Sequence, residues 1–107
     1  MKKLFIVVRA DLPPAQQAVQ AIHAARSFVE LHPRIEATWF HESNTIALLE
    51  VRKLADLLYI RDMALAGDVD MSEFYEPDLQ GALTAIAMLG AAAEKLCKGL
   101  DRALDGR

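Results

Sequence analysis

The chain lacks most of the features that announce a function. It has a single cysteine, Cys97, in 107 residues, which excludes an internal disulfide and a zinc site built from several thiols. No apolar run approaches the ~20 residues of a membrane-spanning helix. The run Leu4 to Val8 follows Lys2 and Lys3, but Arg9 and Asp11 end it far too early for a signal peptide. The expectation is a cytoplasmic protein with no membrane partner. Basic residues are also short, with 12 Lys and Arg against 15 Asp and Glu and a net charge of −3. A protein that grips many phosphates draws affinity from Lys and Arg, and that footprint is weak here. Asp62, Asp68, Asp70, Glu73, Glu76 and Asp78 succeed one another with no Lys or Arg between them.

What remains is an ordinary globular balance, 53% hydrophobic and 25% charged, over a length suited to one domain spanning residues 1–107. The chain is organised around a helix expected from Pro13 to His32. Pro13 and Pro14 suit a first turn, where a backbone N–H has no partner to lose. Ala18, Ile22, Ala25 and Val29 recur at helical spacing and predict one buried stripe. Gln16, Gln20, His23 and Ser27 recur at the same spacing on nearly the opposite side. Arg26 is the only charge between Leu12 and Val29. A surface helix usually carries Lys and Glu on its outer face, so this pattern predicts a helix partly covered on both sides. Spacing alone leaves two readings of Gln16, Gln20 and His23: polar groups on a half-buried helix, or a site.

Taken in order, Leu4–Val8 reads as a strand buried on both faces. The long helix follows at once, the first half of a βαβ unit. Pro33 closes it, and a short helical turn with Trp39, Phe40 and His41 covers an edge of the core. Thr45–Val51 is a second strand, and Leu54–Ala66 a helix with Gly67 as its left-handed stop. Met71–Glu76 is a more polar strand nearer an edge, ended by Pro77. Asp78–Gly81 is turn chemistry, which makes Leu83–Leu89 the second arm of an antiparallel hairpin. A last helix is expected over Ala91–Leu104, with Cys97 as a small core residue beside its inward stripe. The order β-α-β-α-β-β-α predicts an α/β fold: a three-layer α/β/α sandwich with a four-stranded mixed sheet.

This order, with certain residues in it, resembles the second (archaeal and eukaryotic type) family of peptidyl-tRNA hydrolases. The first strand and its exit, I6-V7-V8-R9-A10-D11-L12, look like that family's V-V-R-x-D-L. The helix segment A18-V19-Q20-A21-I22-H23-A24 is similar to its A-A-Q-x-A-H-A. Trp39 falls where the family often has a tryptophan, and G81-A82-L83-T84-A85-I86-A87 looks like its G-T-x-T-x-x-A ending. The resemblance implies hydrolysis of the ester joining a peptide to the terminal ribose of tRNA, with no metal, no cofactor and commonly a homodimer. Such a reaction needs water delivered to a carbonyl, a group to take its proton, and hydrogen bonds to the developing oxyanion. His23 is the expected proton acceptor, because imidazole titrates near working pH. Gln20 matches the family glutamine and is expected to orient a water or the ester.

Two departures separate the chain from that pattern. Four residues before the glutamine the family carries a lysine, and Gln16 stands here. A glutamine donates hydrogen bonds but brings no charge, and by analogy with lost oxyanion donors that difference costs several kcal/mol. The family's aspartate, in D-x-G-x-T, falls on Ser72 in an ungapped count back from Gly81, with the threonine on Glu76. A shortened loop instead gives the acidic role to Asp78 or Glu76 at the strand's end. Both carboxylates also read as solvated turn residues. Arg9 and Asp11 are either part of the substrate site or a structural pair that caps the helix. Three functions follow: an esterase acting on peptidyl-tRNA or a smaller ester, with His23 and Asp78 catalytic and Gln16, Gln20, Glu76, Arg9 and Asp11 binding substrate; a catalytically inactive homodimeric binding protein of the same fold; or, least favoured, a small-ligand or regulatory α/β domain in which the Q-x-x-H spacing is coincidental.

Overall fold

Strand β1 (Lys3–Arg9) runs through the middle of the sheet, and its uninterrupted apolar sequence follows from that place. Leu4, Ile6 and Val8 enter one core and Phe5 and Val7 the other, so every side chain has an apolar destination. The computed structural model describes residues 2–106. Strand β2 (Thr45–Val51) pairs with β1 in parallel, from Lys3 opposite Thr45 to Arg9 opposite Val51. On the other side β4 (Ala82–Leu89) runs antiparallel to β1, and β3 (Asp70–Glu76) pairs with β4 as an edge strand. The connection between them is a single 3-10 turn, Pro77–Leu79.

Helix α1 (Pro14–Leu31) packs across β1, β3 and β4. Its core holds Ala21, Ala24 and Phe28 of α1 against Leu4, Ile6, Val8 and Ala87, with Trp39 at one side. The opposite face carries helix α3 (Leu54–Ala66) and helix α4 (Ala91–Cys97), whose Leu57, Ile60, Ala93 and Cys97 meet Phe5, Val7, Ile86 and Met88. The fold is α/β, with a mixed five-stranded sheet and four α-helices among the described residues.

Four expectations need correction. The fifth strand was expected to be helix. Helix α4 stops at Cys97 because Lys98 is extended and Gly99 adopts a φ of 87°, which glycine reaches without strain. The chain then lays β5 (Asp101–Arg102) along the outer edge of β2. Pairing an otherwise open edge satisfies backbone groups that a longer helix would leave bare, and Ala103 N–H adds a bond to Leu48 O at 3.0 Å.

The short turn after Pro33 is a ten-residue helix, α2 (Pro33–Glu42). Trp39 is buried and its indole N–H donates to Thr45 O at 3.0 Å, which satisfies the one polar atom a buried indole carries. Phe40 and His41 do not cover the core; Phe40 is exposed and meets His41 edge-on.

The buried face of α1 is made by Gln17, Gln20, Ala21, Ala24 and Phe28. The predicted stripe lies one residue further along the chain, about 100° around the helix, and Ile22 is 68% exposed. Small side chains decide this: Ala21 and Ala24 let the helix backbone come close enough for Ser72 Oγ to donate to Ala24 O at 2.7 Å. The Ser72 hydroxyl thus bonds the face that carries Ala21, Ala24 and Phe28, which also recur at helical spacing.

Finally, Gly67 is not left-handed. Asp68, at φ 53°, is. Its N–H bonds Leu65 O at 3.2 Å and that of Val69 bonds Ala64 O at 3.0 Å, the paired bonds of a Schellman ending.

Candidate functional site

The site forms where the first turns of α1 cross the β3–β4 hairpin, and a bulge makes it. Phe74 pairs with Ala85 but Tyr75 pairs with Leu83, so Thr84 is an extra residue on β4. Leu83 lies in the α3-side core and Ala85 in the α1-side core. The inserted Thr84 turns its hydroxyl toward α1 instead of continuing the alternation. There it donates to Gln20 Oε1 at 2.8 Å, with Phe74 O an alternative acceptor at 3.2 Å.

Gln20 has no exposed surface and uses its whole amide. Nε2 donates to Gln16 Oε1 and to Glu76 Oε1, both at 3.1 Å. The carboxylate of Glu76 can only accept, which assigns Nε2 to that side and Oε1 to Thr84. Helical spacing sets Gln16 one turn before Gln20 on the same face. The result is a string, Thr84–Gln20–Glu76 with Gln16 beside it, reaching from a buried hydroxyl to a half-buried carboxylate. Gln16 is exposed, and its Oε1 is occupied by Gln20, so its NH₂ is the donor left to meet a ligand.

His23 is exposed and stacks on Phe74, with ring centroids 4.3 Å apart and planes 12° from parallel. The stack holds the ring's plane over β3, two residues from Glu76, while the ring edge stays open to solvent. His23 makes no hydrogen bond among the described residues. A histidine in this setting is free to take a proton from a water or ligand hydroxyl.

Asp78 is exposed in the turn. Its backbone N–H reaches Glu76 Oε2 at 3.4 Å, so Glu76 and not Asp78 joins the Gln20 string. Arg9 and Asp11 form a two-pronged pair, Nε to Oδ1 at 3.0 Å and Nη2 to Oδ2 at 2.8 Å. The third guanidinium nitrogen, Nη1, donates to Leu83 O at 3.1 Å. Arg9 thus ties the end of β1 to the peptide beside the Thr84 bulge. The hydrogen bond from Arg9 and then its charge hold the Asp11 carboxyl below the usual aspartate value, against a desolvation that pushes upward. Burial pushes the Cys97 thiol up to about 11, which suits a core residue.

Sequence reasoning assigned no role to Thr84, Phe74 or Gln17. Thr84 is the one polar side chain within Leu83–Leu89, a signal that was available. Gln17 is buried, and its amide N–H groups hold Leu12 O at 2.7 Å and Ala10 O at 3.4 Å. Those bonds fix the entry into α1. No group of three or more His, Cys, Asp or Glu is arranged to hold a metal among the described residues. No described helix is long and apolar enough to cross a membrane.

No protein-family model matches the chain, and no curated protein matches it. Among solved structures it is similar to a protein of unknown function from Agrobacterium tumefaciens, with a TM-score of 0.69 and 13% sequence identity. The match covers 94% of this chain and 96% of that one. At that identity the likeness concerns the fold alone.

Proposed function

We propose that the chain is an esterase of the peptidyl-tRNA hydrolase kind, built on an α/β/α sandwich and cleaving the ester of a peptidyl-tRNA or a smaller relative of it. The observation that carries this reading is the string Thr84–Gln20–Glu76 with Gln16 and His23 at its open end. His23 takes the proton of the attacking water. The Gln16 NH₂ group donates to the developing oxyanion, and Gln20, locked by three hydrogen bonds, holds Gln16 in place. Glu76 is the orienting carboxylate. A neutral amide in place of the family lysine gives weaker oxyanion stabilisation, and slower turnover follows.

The test is incubation with N-acetylaminoacyl-tRNA, and with N-acetylphenylalanine methyl ester, beside the His23→Ala variant. Cleavage lowered about 10²–10⁴-fold in a folded variant fits loss of a general base. Turnover unchanged by the variant would sink the assignment of His23.

A second reading, a binding protein that kept the pocket and lost the reaction, is favoured by one observation: the position of the family lysine holds Gln16. It predicts ligand binding without cleavage by the native chain.

We further infer a homodimer through the exposed side of α1. Ile22, Ala25, Val29 and Ile46 line a groove of about 290 Å³ flanked by Arg26 and Glu36. A two-fold pair brings the same patch of each copy against the other, which would cover this groove.

A further inference from the structure

We propose that a second site, on the sheet face away from Gln20 and His23, binds a free hydrophobic α-amino acid. The site is a cleft of about 410 Å³ between the end of β2, the first turns of α3 and the connection from α4 to β5. Its apolar surface belongs to the α3-side core. Val51 and Ile60 are buried there, and half-buried Leu96 and Leu100 pack against that core. Asp56, Tyr59 and Ile60 reach the cleft together because they are three and four residues apart on α3. Tyr59 is exposed and forms one wall.

Charge decides what such a cleft takes. Arg52 and Asp56 both line it, and neither side chain makes an ion pair or hydrogen bond among the described residues. Two further carboxylates border the cleft, Glu50 and Asp101, but they face the other way. Leu49 and Val51 enter the α3-side core and Leu48 the other, so alternation puts Glu50 on the α1 side. There it also borders the cavity beside Gln17. Asp101 is its ladder partner and shares that side with Ala103, buried in the α1-side core. Neither carboxylate is free. Lys53 is unpaired like Arg52 but lies outside the cleft. Among the described residues, the cleft thus offers one cation and one anion beside an apolar floor.

That combination matches a zwitterion. An α-amino acid presents a carboxylate, an ammonium and a side chain from a single carbon. The Arg52 guanidinium fits the carboxylate as a two-pronged donor, and the Asp56 carboxylate accepts from the ammonium. The side chain covers Ile60 and Leu100, with a ring against Tyr59. A ligand with a single charge pairs with one of the two groups and is repelled by the other.

The probes are L-phenylalanine, phenethylamine, which lacks the carboxylate, and 3-phenylpropionate, which lacks the ammonium. Titration of the native chain, followed by NMR amide shifts, is expected to give L-phenylalanine a Kd of about 0.1–1 mM, with shifts centred on Tyr59, Ile60 and Leu100. Each single-charge analogue is expected to bind about tenfold more weakly. Arg52→Gln is expected to weaken L-phenylalanine about tenfold and to leave phenethylamine no weaker, because that probe has no carboxylate to lose. Asp56→Asn is expected to weaken L-phenylalanine similarly and to leave 3-phenylpropionate no weaker. No saturation by about 10 mM, shifts centred on Gln16 and His23, or an analogue that binds as tightly as L-phenylalanine overturns the proposal. So does a variant that weakens all three probes alike, since that is the mark of a disturbed fold and not of a lost ion pair. The cleft lies across the sheet from the ester site, so none of these outcomes depends on whether the chain cleaves an ester.

Discussion

Gln20 illustrates how much a single polar residue can hold when it is fully buried. Its amide makes three side-chain hydrogen bonds, to Gln16, Glu76 and Thr84. Gln20→Ala leaves the Thr84 hydroxyl and the Glu76 carboxylate short of partners and opens a cavity. The expected loss is about 2–4 kcal/mol of unfolding free energy in urea titration. Gln16→Ala, at an exposed position, is expected to cost less than about 0.5 kcal/mol. Asp11 gives a pH signature. Its carboxyl is held below its unfolded value by Arg9, so its contribution to stability is complete above the unfolded value and is lost as pH falls through the folded one. The stability difference between the native chain and Asp11→Asn is therefore expected to be constant from about pH 5 to 7 and to close below roughly pH 4. A difference that instead grew on acidification would contradict the Arg9–Asp11 assignment.

At the scale of elements, two local features set where side chains point. The bulge on β4 costs one ladder position and returns a threonine aimed at the helix. No periodicity announces it, because Leu83, Ala85, Ile86 and Ala87 read as a plain apolar run. At the end of α3 the left-handed position is taken by Asp68 instead of the adjacent glycine. A non-glycine residue is strained there, aspartate less than most. Asp68→Gly is expected to raise stability by about 0.5–1 kcal/mol, seen as a higher Tm in thermal unfolding. An unchanged or lower Tm would mean that the aspartate side chain makes up for its backbone strain. The early end of the last helix, seven residues before the expected Leu104, has a similar origin. Ala103 and Leu104 continue a helical spacing in the sequence, while the turn at Gly99 and the open edge of β2 take the chain elsewhere.

The whole molecule leaves apolar surface on the outer side of α1 and β2, with Ile22 and Ile46 each more than half exposed. That is the stripe whose spacing predicted burial, and the dimer reading returns it to a partner instead of to the sheet. Light scattering is expected to give twice the chain mass for the native protein and the single mass for Ile22→Glu, with unfolding of the monomer otherwise intact. A native protein that is monomeric at high micromolar concentration would remove the dimer.

Residue order alone determined the first four strands, the two crossover helices and the hairpin, because each rests on local chemistry: β-branched runs, helical spacing, Pro33 and Pro77, and the Asp78–Gly81 turn. It also singled out Gln16, Gln20, His23 and Glu76, through a resemblance that needs only short matching segments. Which face of α1 is buried, and which carboxylate meets Gln20, only the tertiary structure decided. Both depend on hydroxyls from β3 and β4, Ser72 and Thr84, that lie 48 and 64 residues from their partners in the chain. The contacts that fix the helix face, these hydrogen bonds and the packing of Ala21, Ala24 and Phe28 on the sheet, join residues far apart in the chain, and a window moved along the sequence never holds both ends of one.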